Sequence, residues 1–299
     1  MGKFSGTQVL DTRVPTNGWS DFALKYPLFM RLAVILIWPL GLFIAFLSLG
    51  AAAFNNAVGQ DTHAYWLAAQ GDLVYGRAPG ERDAYLYSPA FIAIIRPLAM
   101  LPWPAFLVLW VCLEAAVLIW LLKPLRLRWS IPVFMLCLPE LVVGNIYILL
   151  AAAAVLGLQK PAVWSFPILT KVTAGVGLLW FAARGEWRRF AQGLGGLAAV
   201  VFVSYALDPA GWQAWLQFLF DHQEGTPDSR TSFLLRCLLA IALVVIGARK
   251  QWPLFIAPAM VLASPVLVGF IPWTILAAVP RLGGMAAPKA EPASAENYR

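Results

Sequence analysis

Charge is scarce in this chain. Charged residues make up 12% of its 299 positions, whereas soluble globular domains carry about 25%. Hydrophobic residues account for 61% of the sequence, and the mean hydropathy is +0.72. These values exclude an ordinary soluble domain, and they predict an all-α polytopic membrane protein.

Cysteine and histidine are also rare, which bears on disulfides and metals. The sequence has two histidines and three cysteines, and the cysteines lie inside apolar segments at Cys112, Cys137 and Cys237. Such positions match neither a disulfide framework nor a metal-ligand spacing. Asp221, His222 and Glu224 share one polar loop, but no further ligand at a suitable spacing completes a metal site. We therefore expect neither a metal ion nor a cofactor.

Two signatures of soluble enzymes are missing as well. The chain has no Gly-rich phosphate loop and no nucleophile elbow. Its Gly193-Leu-Gly195-Gly196 segment falls within an apolar run, where small residues allow helices to pack closely. The sequence thus gives no support to a soluble nucleotide as substrate or cofactor.

Basic residues are distributed unevenly along the chain, which has a net charge of +7. Two polar loops, at about 54–88 and 208–232, contain three basic residues against eight acids. Twelve other basic residues precede the first apolar run or fill later short loops: Lys3, Arg13, Lys25, Arg31, Lys123, Arg126, Arg128, Arg184, Arg188, Arg189, Arg249 and Lys250. The positive-inside rule predicts that these twelve are cytoplasmic. The basic excess is therefore a topology signal, and nucleic acid is not an expected partner.

One multi-span domain is predicted at 31–280, between a cytoplasmic lead at 1–30 and a disordered tail at 281–299. The lead lacks the apolar stretch and cleavage site of a signal peptide, so the first span is expected to be a retained anchor. Full spans are predicted at 31–54, 104–122, 190–207, 233–248 and 253–280. A short helix is expected at about 61–71, and 89–101 is expected to be re-entrant or interfacial.

Prolines and other breaks interrupt the apolar sequence between 130 and 183. The interruptions are Pro132, Pro139, Gly144, Pro161, Pro167 and Lys171. Their spacing predicts two hairpins of short helices, 130–143 with 145–158 and 161–170 with 172–183. Broken helices at membrane depth are tolerated only where they are buried or line a cavity, so we expect a cavity here.

The first polar loop contains the strongest candidate for chemistry, Asp61. It follows the first predicted span directly, and a carboxylate beside apolar walls can be tuned to accept a proton from a sugar hydroxyl. An alternative role is that of a helix N-cap. His63 could assist proton transfer or contact a phosphate, although a loop histidine is more often simply solvated.

Aromatic and charged residues in apolar surroundings form a second group of candidates. The first loop contains four tyrosines, Tyr65, Tyr75, Tyr85 and Tyr87. They could form a sugar-binding wall, although anchoring at the membrane interface explains their presence equally well. Charges within membrane segments suggest function by default. Lys171, where two short helices meet, is the first candidate for a phosphate contact, and Arg96 is the second. For Arg236 a structural role is favoured, while Glu114 and Glu140 could pair with these bases.

Several spacings resemble a known family. The first loop reads Asp61-x3-Tyr65-x2-Ala68-x2-Gly71-x3-Tyr75, then Tyr85-x-Tyr87-x-Pro89, then Pro97-Leu98-x2-Leu101-Pro102. It resembles the first-loop signature of glycosyltransferase family 87, which is polyprenol-phosphate-mannose-dependent mannosyltransferase-like and of the GT-C class. Gly144-Asn145-Ile-Tyr147 resembles the family's Gly-Gln-x-Asn turn, with Asn145 in place of Gln and Tyr147 in place of Asn. Lys171 resembles its membrane lysine. The resemblance covers about 30–190, and a poor match is expected beyond it.

The resemblance implies a GT-C-like bundle with short broken transmembrane helices and an extracytoplasmic first loop. It implies a glycosyltransferase in a bacterial-type plasma membrane, with an outward-facing site and a polyprenyl-phosphate sugar, first of all mannose, as donor. The acceptor would be a glycolipid or glycan, and Asp61 would be the general base of an inverting, metal-independent transfer. The expected substrate-binding residues are His63, Tyr65, Tyr75, Tyr85, Tyr87, Arg96, Asn145, Tyr147, Lys171 and His222.

Two other functions stay open at this point. The departures in the 144–147 turn and the expected poor match after 190 suggest a catalytically inactive scaffold subunit that works with a partner subunit. A transporter would need gated access from both membrane faces, and the sequence has no inverted repeat to support one.

Overall fold

The structure is a computed structural model that describes residues 26–71, 74–222, 227–265, 267 and 271–285. Within these ranges every regular element is a helix, which confirms the predicted all-α membrane protein. The predicted cytoplasmic lead, apart from 26–30, and the predicted tail beyond 285 lie outside the described residues.

Fourteen α-helices make up the described part of the chain. The first seven are α1 (Pro27–Phe54), α2 (Gln60–Gln70), α3 (Pro89–Ala99), α4 (Trp103–Leu122), α5 (Leu127–Leu136), α6 (Leu138–Val143) and α7 (Tyr147–Gly157). The others are α8 (Ser165–Thr170), α9 (Leu179–Ala183), α10 (Trp187–Leu207), α11 (Pro209–Asp221), α12 (Pro227–Lys250), α13 (Ile256–Leu262) and α14 (Val279–Gly283). Short 3-10 helices lie at Pro161–Trp164, Val172–Leu178, Pro253–Phe255 and Ile271–Ala278.

Four of these helices are long and apolar enough to cross a bilayer: α1, α4, α10 and α12. Each contains one of the first four predicted spans. The fifth predicted span, 253–280, is instead divided among short helices, because Pro253, Pro258, Pro265 and Pro272 interrupt it. A proline removes a backbone donor and clashes with the preceding turn, so one continuous helix is not available there.

The predicted broken hairpins are confirmed between α5 and α9. Pro139 lies in the first turn of α6, which ends at Gly144 in the left-handed conformation. Lys171 separates α8 from the following 3-10 helix. The short elements pack closely around the fully buried Trp164. A Cβ added at Gly157 or Gly177 would lie within 2.7 Å of that indole, so only glycine fits against it.

The second polar loop, predicted at 208–232, contains helix α11. Asp208 caps this helix by accepting a hydrogen bond from Gly211 N at 2.8 Å, as an N-cap carboxylate does. Trp212, Trp215 and Phe218 form its buried face. The Trp215 indole donates to Leu86 O at 3.2 Å, so the helix covers the first polar loop.

Basic loops from distant parts of the chain meet on one side of the molecule, here called the basic side. Arg184 Nη1 donates to Ala248 O at 3.5 Å, and Arg189 Nη2 donates to Leu158 O at 2.5 Å. Arg281 Nε donates to Trp120 O at 2.7 Å and lies over that indole. The first polar loop and α11 lie at the opposite ends of these spans.

Candidate active site

The start of α2 is fixed against the turn that follows α6. Gly59 N donates to Val142 O at 2.7 Å, and the Thr62 hydroxyl donates to Gly144 O at 2.8 Å. Gly144 has φ +72°, and a Cβ there would lie 1.8 Å from Thr62 Oγ1. The left-handed backbone and the close approach both require glycine, so Gly144 sets how closely the two segments approach.

Asp61 lies in the first turn of α2 and faces the 144–147 turn. Its carboxylate accepts a hydrogen bond from Asn145 Nδ2. The side-chain oxygen Oδ1 of Asn145 accepts hydrogen bonds from Ile146 N at 2.7 Å and from the Tyr87 hydroxyl at 3.4 Å. These bonds orient the side-chain amide nitrogen towards Asp61. The N-cap of α2 is Gly59, so the alternative role of Asp61 as helix cap is not observed.

Burial raises the pKa of Asp61 above the ordinary aspartate value, while the Asn145 hydrogen bond and the charge of Lys171 act to lower it. Desolvation favours the neutral acid, and a donor or a cation favours the carboxylate. The balance suits a group that must take up a proton, because a general base works best when its pKa approaches the working pH.

Lys171 lies at the break after α8, and its side chain extends towards the tyrosines beside Asn145. Its Nζ lies 4.2 Å from the centroid of the Tyr147 ring and 5.2 Å from that of Tyr87, within cation–π range. It interacts electrostatically with Glu140 and Asp61. Among the described residues no carboxylate forms an ion pair with it at contact distance, so its charge remains available to an anionic ligand.

Glu140 holds the turn in place, a role that the sequence analysis did not assign. It is fully buried, and its Oε1 accepts from Tyr147 N at 2.5 Å and Ile148 N at 3.3 Å. These are the first donors of α7, which have no partner within the helix. Glu114 of α4 is also fully buried and interacts electrostatically with Glu140 and Asp61. The only sequence signal for either residue is an acid in an apolar run.

The tyrosines of the first loop pack together instead of forming an open wall. Tyr65, Tyr85 and Tyr87 are at most 5% exposed, and burial raises the pKa of each phenol. Their hydroxyls are engaged: Tyr65 and Tyr87 lie 3.1 Å apart, and Tyr85 donates to Ser88 O at 3.0 Å. Tyr75 donates to Tyr87 O at 2.8 Å. Direct sugar contact by these rings stays a prediction that the packing does not favour, except at Tyr87, which faces Asn145 and Lys171.

Among the described contacts, three other predicted site residues make none with Asp61, Asn145 or Lys171. His63 Nδ1 lies 2.7 Å from Asp83 Oδ1, on a different face of α2 from Asp61. Arg96 is exposed on α3. His222 is exposed after α11, where Nδ1 lies 2.9 Å from Phe218 O. A substrate role for Arg96 and His222 therefore stays a prediction without a supporting contact.

The structure also describes the surroundings of Arg236, for which a structural role was favoured, and of the acids and histidines that could bind a metal ion. Arg236 donates to Ser264 O at 2.8 Å and to Pro265 O at 3.3 Å, just past the end of α13, in keeping with the structural role favoured for it. In the part of the chain that the structure describes, no group of three His, Cys, Asp or Glu side chains could hold a metal ion. Glu224 lies outside that part.

The family model of glycosyltransferase family 87 matches residues 85–288. No curated protein and no solved structure matches the chain. The family match includes Asn145, Tyr147 and Lys171 but begins after Asp61. It also extends well past 190, so the expectation of a poor match there was wrong.

The family match and the helical architecture agree. The match covers about two thirds of the chain, and four helices are able to span a membrane. The chain therefore belongs to glycosyltransferase family 87 and is a membrane glycosyltransferase.

Proposed function

We propose that the chain transfers a sugar, first of all mannose, from a polyprenyl-phosphate donor to a glycan or glycolipid acceptor, with Asp61 as general base. One observation carries the proposal: a half-buried carboxylate is held by Asn145 and lies within the field of the Lys171 cation. Transfer from a phosphate-linked sugar needs a base for the acceptor and a cation for the leaving group, and these residues supply both.

The reaction is a single displacement. The acceptor hydroxyl oxygen attacks the anomeric carbon while the bond from that carbon to the phosphate oxygen breaks. The hydroxyl proton passes to the Asp61 carboxylate, and the bonding electrons leave with the polyprenyl phosphate. Attack opposite the leaving group inverts the anomeric configuration.

Lys171 would stabilise the phosphate that leaves. Its Nζ is held over the Tyr147 ring, and a cation at the developing charge lowers the barrier most effectively where water is excluded. Asn145 positions Asp61 through its amide nitrogen. Arg96 is the second candidate for donor contact, on the exposed face of α3.

The location follows from the charge distribution. The basic ends of the spans are expected to face the cytoplasm under the positive-inside rule, and Asp61 lies at the opposite end of α1. The proposed site therefore faces outward from a bacterial-type plasma membrane.

The test is transfer of labelled mannose from polyprenyl-phosphate-mannose in membranes that contain the chain. Wild-type protein should give a labelled product, and Asp61→Asn should abolish it at equal protein level. Asp221→Asn, an exposed acid of α11, is the matched control and should retain transfer. Full activity in Asp61→Asn would exclude the proposed base.

A scaffold without catalysis is the second candidate, and one observation favours it. The buried tyrosines fill space beside Asp61, as expected for a site that no longer admits substrate. Absence of transfer above empty membranes, across several lipid-phosphate sugars and acceptor extracts, would support this alternative.

A further inference from the structure

A cleft of about 250 Å³ opens on the face of α2 that points away from Asp61. Gln60 and His63 of α2 line it, whereas Asp61 and Tyr65 contact the Asn145–Tyr87 cluster. The mechanism above uses none of this space. The cleft is therefore separate from the proposed base, although the two are adjacent in sequence.

The cleft lies where two candidate spans meet the first polar loop. Asn56 follows the end of α1, and Trp103 begins α4. Both residues lie at the ends opposite the basic side. A molecule bound here would thus lie at the membrane interface on the same side as Asp61.

Polar contacts fix one wall of the cleft. Asp83 Oδ1 lies 2.7 Å from His63 Nδ1, and its Oδ2 lies 3.1 Å from Arg77 Nη1. The His63 ring packs edge-on against Trp103, with centroids 4.7 Å apart. Asn56 and Asp83 have φ of 50° and 61°, a left-handed conformation that Asn and Asp adopt more readily than other non-glycine residues. The wall is therefore held in shape before any ligand binds.

The lining chemistry favours a neutral, hydroxyl-rich ligand. The loop that forms this wall carries Arg77 and Arg82 against Glu81 and Asp83, so its charges cancel formally and the cleft has no excess positive charge to attract a phosphate. The amides of Asn56 and Gln60 can both donate and accept hydrogen bonds, and the partly exposed Trp103 indole provides an apolar surface. Small-molecule sites usually measure roughly 300–1,000 Å³, so this cleft has room for about one sugar ring.

We propose that this cleft, lined by Asn56, Gln60, His63, Arg82, Asp83 and Trp103, binds one sugar unit of the acceptor. The proposal rests on the transferase function above and specifies its acceptor. A helix is about 10 Å thick, and α2 separates the cleft from Asp61. The acceptor is therefore an oligosaccharide or the multi-sugar headgroup of a glycolipid, one unit of which lies in the cleft while another reaches Asp61.

Binding can be measured without catalysis by saturation-transfer NMR on the purified full chain in detergent. The probes are three neutral disaccharides, mannobiose, maltose and lactose, and inorganic phosphate serves as competitor. At least one disaccharide should bind. Gln60→Ala and Arg82→Ala should each weaken that binding about three- to tenfold, the effect of losing one hydrogen bond. Arg188→Ala, on the basic side, is the matched control and should bind normally.

Three results would overturn the cleft proposal: no binding of any disaccharide, binding unaffected by both substitutions, or displacement of the disaccharide by phosphate. Asp61→Asn keeps the two proposals separate, because it should abolish transfer and leave disaccharide binding intact. Disaccharide binding without any transfer by the wild-type chain would sink the proposed function, and it would leave the cleft as a sugar-binding site without an acceptor role.

Discussion

At the scale of single residues, Asp61 owes its character to opposing effects. Burial raises its pKa, and the hydrogen bond from Asn145 and the charge of Lys171 act to lower it. Asp83, two positions before Tyr85, has a pKa that is shifted in the opposite direction. Partial burial acts to raise its pKa, but contacts with His63 and Arg77 lower it below the usual value. One carboxylate can therefore accept a proton readily, and the other remains ionised.

The Asn145 hydrogen bond gives a prediction about pH. A general base works only as the carboxylate, so kcat/KM should fall with decreasing pH through the pKa of Asp61. Asn145→Ala removes a donor that stabilises the carboxylate and should raise that pKa, so the acidic limb should move to higher pH. Kinetic pH profiles check this, with the exposed Asn55→Ala as control. A limb that stays in place or moves to lower pH would contradict the assignment.

Part of this site was predictable from the sequence. Asp61, Asn145 and Lys171 were each proposed from spacing or resemblance, and the structure brings them together. The burial of Tyr65 and Tyr85 could not be predicted, because tyrosine serves equally in an interfacial belt, a sugar site or a core. The hydrogen bonds of Glu140 depend on how α6 and α7 fold back, which no local pattern encodes.

At the scale of elements, the turn between α6 and α7 carries most of the geometry. Glu140 satisfies the first two donors of α7, and this fixes the position of Asn145. We predict that Glu140→Leu destabilises the protein by about 1–3 kcal/mol, because two buried N–H groups lose their acceptor. Glu140→Gln retains an acceptor oxygen and should be closer to wild type in both thermal stability and transfer. Equal loss in the two variants would show that the charge matters, and not the hydrogen bonds.

Gly144 gives a second prediction about the same turn. Gly144→Ala forces an L residue to adopt φ +72° and places its Cβ 1.8 Å from Thr62 Oγ1. The backbone strain alone costs about 1–3 kcal/mol. Thermal unfolding and transfer should both decline. Gly195→Ala is the control, since a Cβ there meets nothing within 4 Å; it should unfold like wild type. Unchanged stability of Gly144→Ala would show that the turn is more adaptable than described.

Helix α11 was not among the helices predicted from the sequence. The segment 208–232 was expected only as a polar outer loop, but Trp212, Trp215 and Phe218 recur every third residue and form one buried face. The broken helices of 130–183 were predictable because proline and glycine interrupt helices by their own geometry, whatever surrounds them. Which face of α11 is buried against the first polar loop depends on tertiary contacts, and these cannot be read from the local sequence.

At the scale of the whole molecule, an outward-facing site requires a defined orientation of the chain in the membrane. Glu81 and Gln159 are exposed, the first near the cleft and the second on the basic side. In a chain freed of its native cysteines, Glu81→Cys should react with a membrane-impermeant maleimide on intact cells. Gln159→Cys should react only after permeabilisation. The reverse pattern would place Asp61 in the cytoplasm and contradict the proposed topology.

An experiment that separates chemistry from donor binding tests whether Asp61 is the general base. Purified protein in liposomes would be measured for single-turnover transfer and for affinity towards polyprenyl-phosphate-mannose. Asp61→Asn should lower the transfer rate by about 10²–10⁴-fold, as expected for a lost general base, and leave donor affinity unchanged. Lys171→Met should weaken donor binding, while the exposed Lys160→Met should not. Retention of transfer by Asp61→Asn, or a loss of donor affinity that accounts for its whole defect, would contradict the role of Asp61 as general base.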